Sequence, residues 1–333
     1  MQVENIKNML GPLRVREFEL LSKHTYFKIG GPARLFFEAK SVDDLKLAIK
    51  TAIETDTPFE VLGGGANVLV ADSGFSGLVI KNQTSGTKLI GIKGTYTKQG
   101  QGVKSALVWA ASGTLMNQLA RFSLDQGLEG LEFLLSVPGT VGGGIKINSH
   151  FEVERGEFLG SRLASATLID PKTAKIKTVD QKYFDFSYDH SKIQETGEIV
   201  LEAVFRLDVS QNKEKLWQKA MDNVKRRNTE QPIGVACSGC IFRNITHADA
   251  KRLATPNLTT SAGYIIDSLN LKGTKIGGAE ISNHHANFIL NTKEAMATDV
   301  LKLIKLIKEK SQNTYGLDLE EEIFYIGDFG ANT

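Results

Sequence analysis

Residues 136–148 could bring bare backbone against a ligand. Pro138 fixes φ at the entry, and Gly139, Gly142, Gly143 and Gly144 then remove the Cβ atoms that would hold a large ligand off the peptide planes. Backbone N–H groups left open in such a turn form a concave anion site suited to a pyrophosphate. A flexible linker is the plainer reading of any glycine run. It is the weaker one here, because Leu128, Leu131, Phe133, Leu134 and Leu135 lead into the turn and Ile145 and Ile147 lead out of it. Solvated linkers are not bracketed by core residues.

The titratable candidates are Cys237 and Cys240, which form C-x-x-C, and the run Glu320, Glu321, Glu322. Zinc needs two further ligands at a compatible spacing, and with no third cysteine these would have to be His or Asp, so no metal is expected. A reversible disulfide, a redox pair and an inert buried thiol all remain open for the two cysteines. An acidic run is ordinarily solvated surface.

The elements that must position these residues are mostly β-rich. Residues 25–38 read as strand, glycine turn, strand. Ser41 with Asp44 caps a helix whose Leu45, Ala48, Ile49, Ala52 and Ile53 recur at helical spacing until Thr57 and Pro58. Residues 59–62 then run as a strand into Gly63, Gly64, Gly65, Ala66 and Asn67, followed by β-type residues 68–72 and 74–80. A helix is expected over 116–126, and strands over 164–169 and 199–207. A charged amphipathic helix over 213–227 looks like a link between domains. The clearest late helix starts at Asn291 with Glu294 completing a capping box, buries Val300, Ile304 and Ile307, and turns Lys302, Lys305 and Lys308 to water. Neither glycine turn matches G-x-G-x-x-G, and G-x-x-x-x-G-K-S/T is absent. Two such turns in β-rich sequence suggest a flavin or nucleotide between two small subdomains.

With 333 residues the chain implies two or three packed units, and 41% apolar with 23% charged residues fits a soluble globular protein. A balance of 40 basic to 38 acidic residues leaves +2 and gives no reason to expect nucleic acid. Residues 1–20 mix Glu and Lys/Arg without a signal-like apolar run, no stretch reaches the length of a membrane span, and two cysteines do not make a disulfide framework. We therefore expect a cytoplasmic protein that binds no membrane.

The run Gly63 to Leu69 with Asp72, Gly74 and Gly77 resembles the G-x-G-S-N-x-L…D-x-G-x-x-G element of the UDP-N-acetylenolpyruvoylglucosamine reductase family, flavoenzymes of peptidoglycan synthesis. Val137, Pro138, Gly139, Thr140, Val141, Gly142, Gly143, Gly144 and Asn148 are similar to its I-P-G-T-V-G-G-A…N. The run from Cys237 to Asn244 resembles A-G-S-x-F-K-N. Residues 261–291, with His285, Ala286, Asn287 and Phe288, resemble the third-domain signature of the subgroup carrying H-A-N-F, and residues 315–323 resemble the terminal G-x-x-L-E-x-E-V. These matches run in order over nearly the whole chain.

The resemblance implies an α+β fold: a two-subdomain FAD-binding module of the vanillyl-alcohol-oxidase type followed by an α+β substrate-binding domain. Its parts are an extension over 1–22, FAD subdomains over 23–81 and 82–208, and the substrate domain over 209–333. It implies non-covalent FAD, NADPH as reductant and UDP-N-acetylglucosamine enolpyruvate as the small-molecule substrate, in a monomer serving cell-wall synthesis. Gly63, Gly64, Gly65, Ala66, Asn67, Pro138, Gly139, Thr140, Gly142, Gly143 and Asn148 would hold the cofactor. The family's proton-donating serine falls on Cys240, a departure that keeps an acid, since a thiol with a pKa of about 8.5 is a stronger acid than a hydroxyl. The family's terminal glutamate falls on Glu322. Tyr188, Arg243, Asn244, Lys272, His285 and Asn287 would bind substrate. In the family's Y-R-x-S, however, Asp189 stands in place of the arginine. An anion there would repel a substrate carboxylate, so His190, Arg162 or Arg243 would have to supply the cation, or activity is impaired. An oxidoreductase of the same fold with another substrate is the alternative.

Overall fold

The computed structural model describes residues 2–97, 100–151 and 156–330. Glu152, four residues after Asn148, lies outside the described residues. The chain divides into two compact units. The first takes Met1–Glu17, Leu35–Gly64 and Gly77–Arg227, and the second Phe18–Arg34, Gly65–Ser76 and Asn228–Thr333. The division at Arg227 falls inside the helix Lys213–Glu230.

In the first unit, strands Ile176–Asp180, Leu163–Ile169, Ile199–Val209, Gly100–Ala111 and Thr87–Thr97 lie antiparallel in that order, and Leu128–Glu129 pairs with the end of Ile199–Val209. Strand alternation decides the faces. Leu201, Ala203, Phe205 and Leu207 are buried while Glu202 and Arg206 point the other way. The helix Val42–Glu54 forms as its sequence predicts, with Ser41 Oγ accepting from the Asp44 N–H at 3.0 Å. It buries Leu45, Ala48, Ile49 and Ala52 against Leu35, Phe37, Leu78 and Ile80, at about 1.5–3 kcal/mol for each large aliphatic side chain. The expected extension carries a helix of its own, Gln2–Leu10, whose Ile6 and Leu10 join this cluster.

The second unit holds an antiparallel sheet in the order Ala236–Cys240, Phe288–Asn291, Ala279–Ile281, Lys275–Ile276, and a parallel pair of Phe324–Ile326 with Val68–Val70. Its 19-residue helix Ala297–Tyr315 buries Val300, Leu303, Ile304 and Ile307. Two sequence expectations fail in this unit. The helix does not begin at Asn291, which ends a strand; Glu294 takes a left-handed φ of 49°, and the capping box forms instead at Met296, whose N–H donates to Asp299 Oδ2 at 3.1 Å, while the Asp72 carboxylate accepts from the N–H of Ala297 at 2.7 Å and of Thr298 at 3.1 Å. Nor are residues 25–28 a strand. Leu21–His24 is a 3-10 turn, Lys28 has φ 56° and donates its N–H to Thr25 O, and the apparent alternation is a loop that tucks Thr25, Phe27 and Ile29 into the core.

Candidate functional site

The two glycine turns meet in the first unit. A Cβ on Gly64 would stand 2.7 Å from Gly139 Cα, and one on Gly63 would stand 2.5 Å from Thr140 Oγ1. Only bare backbone allows that approach. Gly139 has φ 109° with nothing within 4 Å of its Cβ position, and Gly143 is exposed, so one side of this paired turn is open. Pro138 is half-buried beside it, and Lys81 Nζ donates to Gly63 O at 2.6 Å.

The run differs from the open turn that its glycines suggest. Val141–Lys146 is a short helix with Thr140 at its N-cap. Val141 N–H donates to Thr114 O at 2.9 Å and Gly142 N–H to Ser112 O at 2.7 Å, so these two donors are already used. Gly142 lacks a Cβ for packing, since one would lie 3.1 Å from Ser112 Cβ, and at Gly144 one would meet Met116 at 2.4 Å. Asn148 is also spent on the backbone, donating to Ser187 O at 2.8 Å and accepting from Gly160 N–H at 3.0 Å.

Through Asn148 the glycine helix is tied to the turn at Ser187–His190, where Ser187 and His190 form a bridge and Asp189 has φ 50°. Ser191 Oγ donates to Lys146 O at 2.6 Å. Asp189 is 2% exposed and its Oδ1 lies 3.5 Å from His150 Nδ1; the His150 ring packs against Tyr188 at 5.1 Å and Phe158 at 5.3 Å. Burial pushes the His150 imidazole below the ordinary histidine range, and the Asp189 carboxylate opposes that shift. His150 was not singled out from the sequence; its signal was a histidine two residues beyond Asn148. Of the expected cations, Arg162 Nη1 lies 2.8 Å from Asp208, His190 Nε2 lies 3.0 Å from Glu195, and Arg243 Nη1 lies 3.6 Å from Glu320.

The second unit holds both expected catalytic residues on neighbouring backbone. Cys240 ends the strand Ala236–Cys240, a bend follows at Ile241, and Phe242 then bridges to Glu321. Glu322 N–H donates to Ile241 O and Arg243 N–H to Glu320 O, both at 2.8 Å. Asn67 Nδ2 donates to Glu322 O at 3.1 Å, and Phe324 N–H donates back to Asn67 O. Ala66 and Asn67 are half-buried, and Gly65 is buried with φ 73° because a Cβ would strike His24 O at 2.3 Å. Glu320 is exposed, Glu321 binds Lys308 Nζ at 3.0 Å and Tyr325 Oη, and Glu322 is half-buried, so the acidic run is not uniform surface. Lys308, expected to face water, is held by that contact.

The expected substrate residues divide by what already occupies them. Asn287 is 3% exposed and grips Phe242 from both sides, accepting its N–H at 2.9 Å and donating to its carbonyl at 2.8 Å, so it positions the thiol segment. Asn244 Oδ1 accepts from Ala262 N–H at the start of a helix. Lys272 pairs with Asp267 at 2.6 Å. His285 packs edge-on to Phe288, accepts from Asn287 N–H at 3.3 Å, and is lowered in pKa by burial. An open cavity of about 420 Å³ in the second unit, lined by Lys28, Gly31, Asp72 and Asn291 among others, includes none of the predicted site residues. Among the described residues no cluster of metal-ligating side chains occurs and no helix is long and apolar enough to cross a membrane.

Comparison with known proteins covers both units. An FAD-binding domain model matches residues 33–179, and a model described as the UDP-N-acetylenolpyruvoylglucosamine reductase C-terminal domain matches residues 231–326. The chain is 34% identical over 330 residues to the UDP-N-acetylenolpyruvoylglucosamine reductase of Bacillus pumilus, covering 98% of this chain and 99% of that protein. It is 35% identical over 307 residues to that of Protochlamydia amoebophila, covering 92% of each. The crystal structure of the Thermus caldophilus enzyme superimposes with a TM-score of 0.72 at 30% identity, over 94% of this chain and 99% of that one.

Proposed function

Because the chain belongs to the UDP-N-acetylenolpyruvoylglucosamine reductase family, with an FAD-binding module followed by an α+β C-terminal domain, we propose that it reduces UDP-N-acetylglucosamine enolpyruvate to UDP-N-acetylmuramate, with NADPH as reductant and non-covalent FAD. The observation that supports the chemistry is the hydrogen bond from Glu322 N–H to Ile241 O, which holds the Glu322 backbone beside the segment that follows Cys240. Bound FAD supplies hydride transfer; the chain's own residues bind, orient and move a proton.

The backbone of Gly64 abutting that of Gly139, the Gly63 backbone against the Thr140 side chain, and the open side at Gly139 and Gly143 fit the close approach of a pyrophosphate. Pro138 fixes the entry to that cradle. Gly65, Ala66 and Asn67, next in the chain, are assigned to the cofactor by the same motif, and Asn67 also braces Glu322. Gly142 and Asn148 support the cradle from behind through their packing and hydrogen bonds. Cys240 donates the proton that completes reduction of the enolpyruvyl group, and Glu322 helps to stabilise the intermediate as a protonated carboxyl, the form that can donate a hydrogen bond to the developing negative charge. Arg243, Lys272, His285, Asn244 and Tyr188 bind the nucleotide sugar, and Asn287 positions Cys240 by holding Phe242. Asp189 acts as the partner of His150 rather than at the substrate carboxylate. We assign the subdomain limits 23–81, 82–208 and 209–333, a monomeric state and a cytoplasmic location to the same reading. Purified protein should be yellow, release FAD on acid precipitation, and turn over NADPH beyond one equivalent per flavin only when the enolpyruvyl sugar is present. A protein that takes up no FAD, or NADPH oxidation indifferent to that sugar, contradicts the proposal.

A further inference from the structure

Cys237 and Cys240 are three residues apart, and in a regular strand residues so spaced point to opposite faces. Their register with the neighbouring strand is not regular. Cys237 pairs with Leu290 and Cys240 with Phe288, so three steps on one strand match two on the other, and the extra residue is absorbed between them. Leu290 and Phe288 are two apart and share a face, and directly paired residues of antiparallel strands share a face as well. Both thiols therefore stand on the same side of the sheet.

Two strand steps place their Cα atoms about 6.6 Å apart, at the upper end of the roughly 4.4–6.8 Å that a disulfide spans. A bulge bends its strand, which shortens that distance. The residues between give slack: Gly239 has φ 86° with nothing within 4 Å of its Cβ position, and the Ser238 hydroxyl is buried without a hydrogen-bond partner. Neither cysteine is in a disulfide and both are half-buried.

We propose that Cys237 and Cys240 are a redox modification site, closed by hydrogen peroxide to an intramolecular disulfide and reopened by a dithiol. One thiolate attacks the peroxide oxygen, forming a sulfenic acid and releasing hydroxide; the other thiol attacks that sulfur, forming the S–S bond and releasing water. Two thiols and one peroxide thus give one disulfide and two waters. Resting on the reading of Cys240 as proton donor, the closed form loses the substrate half-reaction while flavin reduction by NADPH continues.

The test treats the holoenzyme with hydrogen peroxide, then counts thiols after denaturation and weighs the intact chain. The expected result is loss of both thiols per chain, a mass lower by two hydrogens, no cross-linked dimer and full reversal by dithiothreitol. Cys237→Ser should instead gain one oxygen. Oxygen added at Cys240 while Cys237 stays a thiol, or a disulfide between chains, overturns the proposal. A disulfide that forms but leaves substrate reduction intact supports the modification site and contradicts Cys240 as the acid, so the two claims fail separately.

Discussion

Replacing Gly64 by alanine tests whether the two glycine turns act as one cradle. The new Cβ would sit 2.7 Å from Gly139 Cα, 3.3 Å from Gly139 C and 3.4 Å from Gly139 N, all backbone atoms that no rotamer change can move aside. Carbon atoms prefer roughly 3.5–4.0 Å, so the turns must part by about 0.8 Å. Overpacking of this kind costs about 1–3 kcal/mol of stability. A similar displacement stretches any donor pair that the two turns share on a pyrophosphate, and losing one charge-assisted hydrogen bond costs about 1.5–3 kcal/mol, roughly a 10- to 150-fold weaker dissociation constant. Gly143→Ala is the matched control, because that residue is exposed and helical and its Cβ would meet only Thr140 Oγ1 at 3.6 Å. Alanine is better than glycine inside a helix by about 0.5–1 kcal/mol, so Gly143→Ala should keep or raise the urea midpoint while still weakening FAD. Titration of apoprotein with FAD, followed by flavin fluorescence, gives the affinities. Parent-like stability and FAD affinity in Gly64→Ala would refute the abutting turns, and parent-like affinity in Gly143→Ala would refute the open side as the ligand side.

Asp72→Ala removes the carboxylate that accepts from Ala297 and Thr298 N–H, and should lower unfolding free energy by about 1–2 kcal/mol in a urea titration; an unchanged midpoint would mean water caps the helix equally well. His150 should titrate below an ordinary histidine, so its neutral form favours the folded state: that contribution is present above about pH 6.5 and is lost as pH falls through the folded pKa. Asp189→Asn removes the opposing carboxylate and should deepen the acid loss and lower the His150 pKa further by NMR, whereas a rise would show that Asp189 does not face the ring as a charge. The same substitution should change turnover by less than about tenfold, roughly 1.4 kcal/mol of barrier; a loss of several orders of magnitude would give Asp189 a direct part in the reaction.

Local signals in the sequence reached local structure. Ser41 with Asp44, and the strand Phe59–Leu62 between turn residues, are each decided within a few neighbours and appear as expected. What was not legible depends on distant partners. The Asn291 and Glu294 pattern is a sound cap in isolation, but the capping box forms at Met296 and Asp299, an apolar N-cap that residue type does not advertise, and the Ala297 and Thr298 N–H groups are taken by Asp72 from more than two hundred residues away, which no local window contains. The glycine run looked like an open turn because glycine is a poor helix former, and packing against Ser112, Met116 and Leu159 overrides that propensity. At the site, the sequence named Asn148 and Asn287 by their motif but could not tell that their amides are spent on Ser187, Gly160 and Phe242. It missed His150 because the contact that marks it, the Asp189 carboxylate, lies 39 residues on and is brought there by the turn at Ser187–His190.

The central claim, that Cys240 supplies the proton in the substrate half of the reaction, is tested most directly by stopped-flow absorbance of the flavin in Cys240→Ala and Cys240→Ser. Reduction by NADPH should proceed at nearly the parent rate in both. Reoxidation by the enolpyruvyl sugar should fall about a hundred- to ten-thousandfold in Cys240→Ala, the range for loss of a positioned general acid, and recover in large part in Cys240→Ser, whose hydroxyl donates from almost the same place. Reoxidation of Cys240→Ala at the parent rate, or failure of flavin reduction instead, would contradict it.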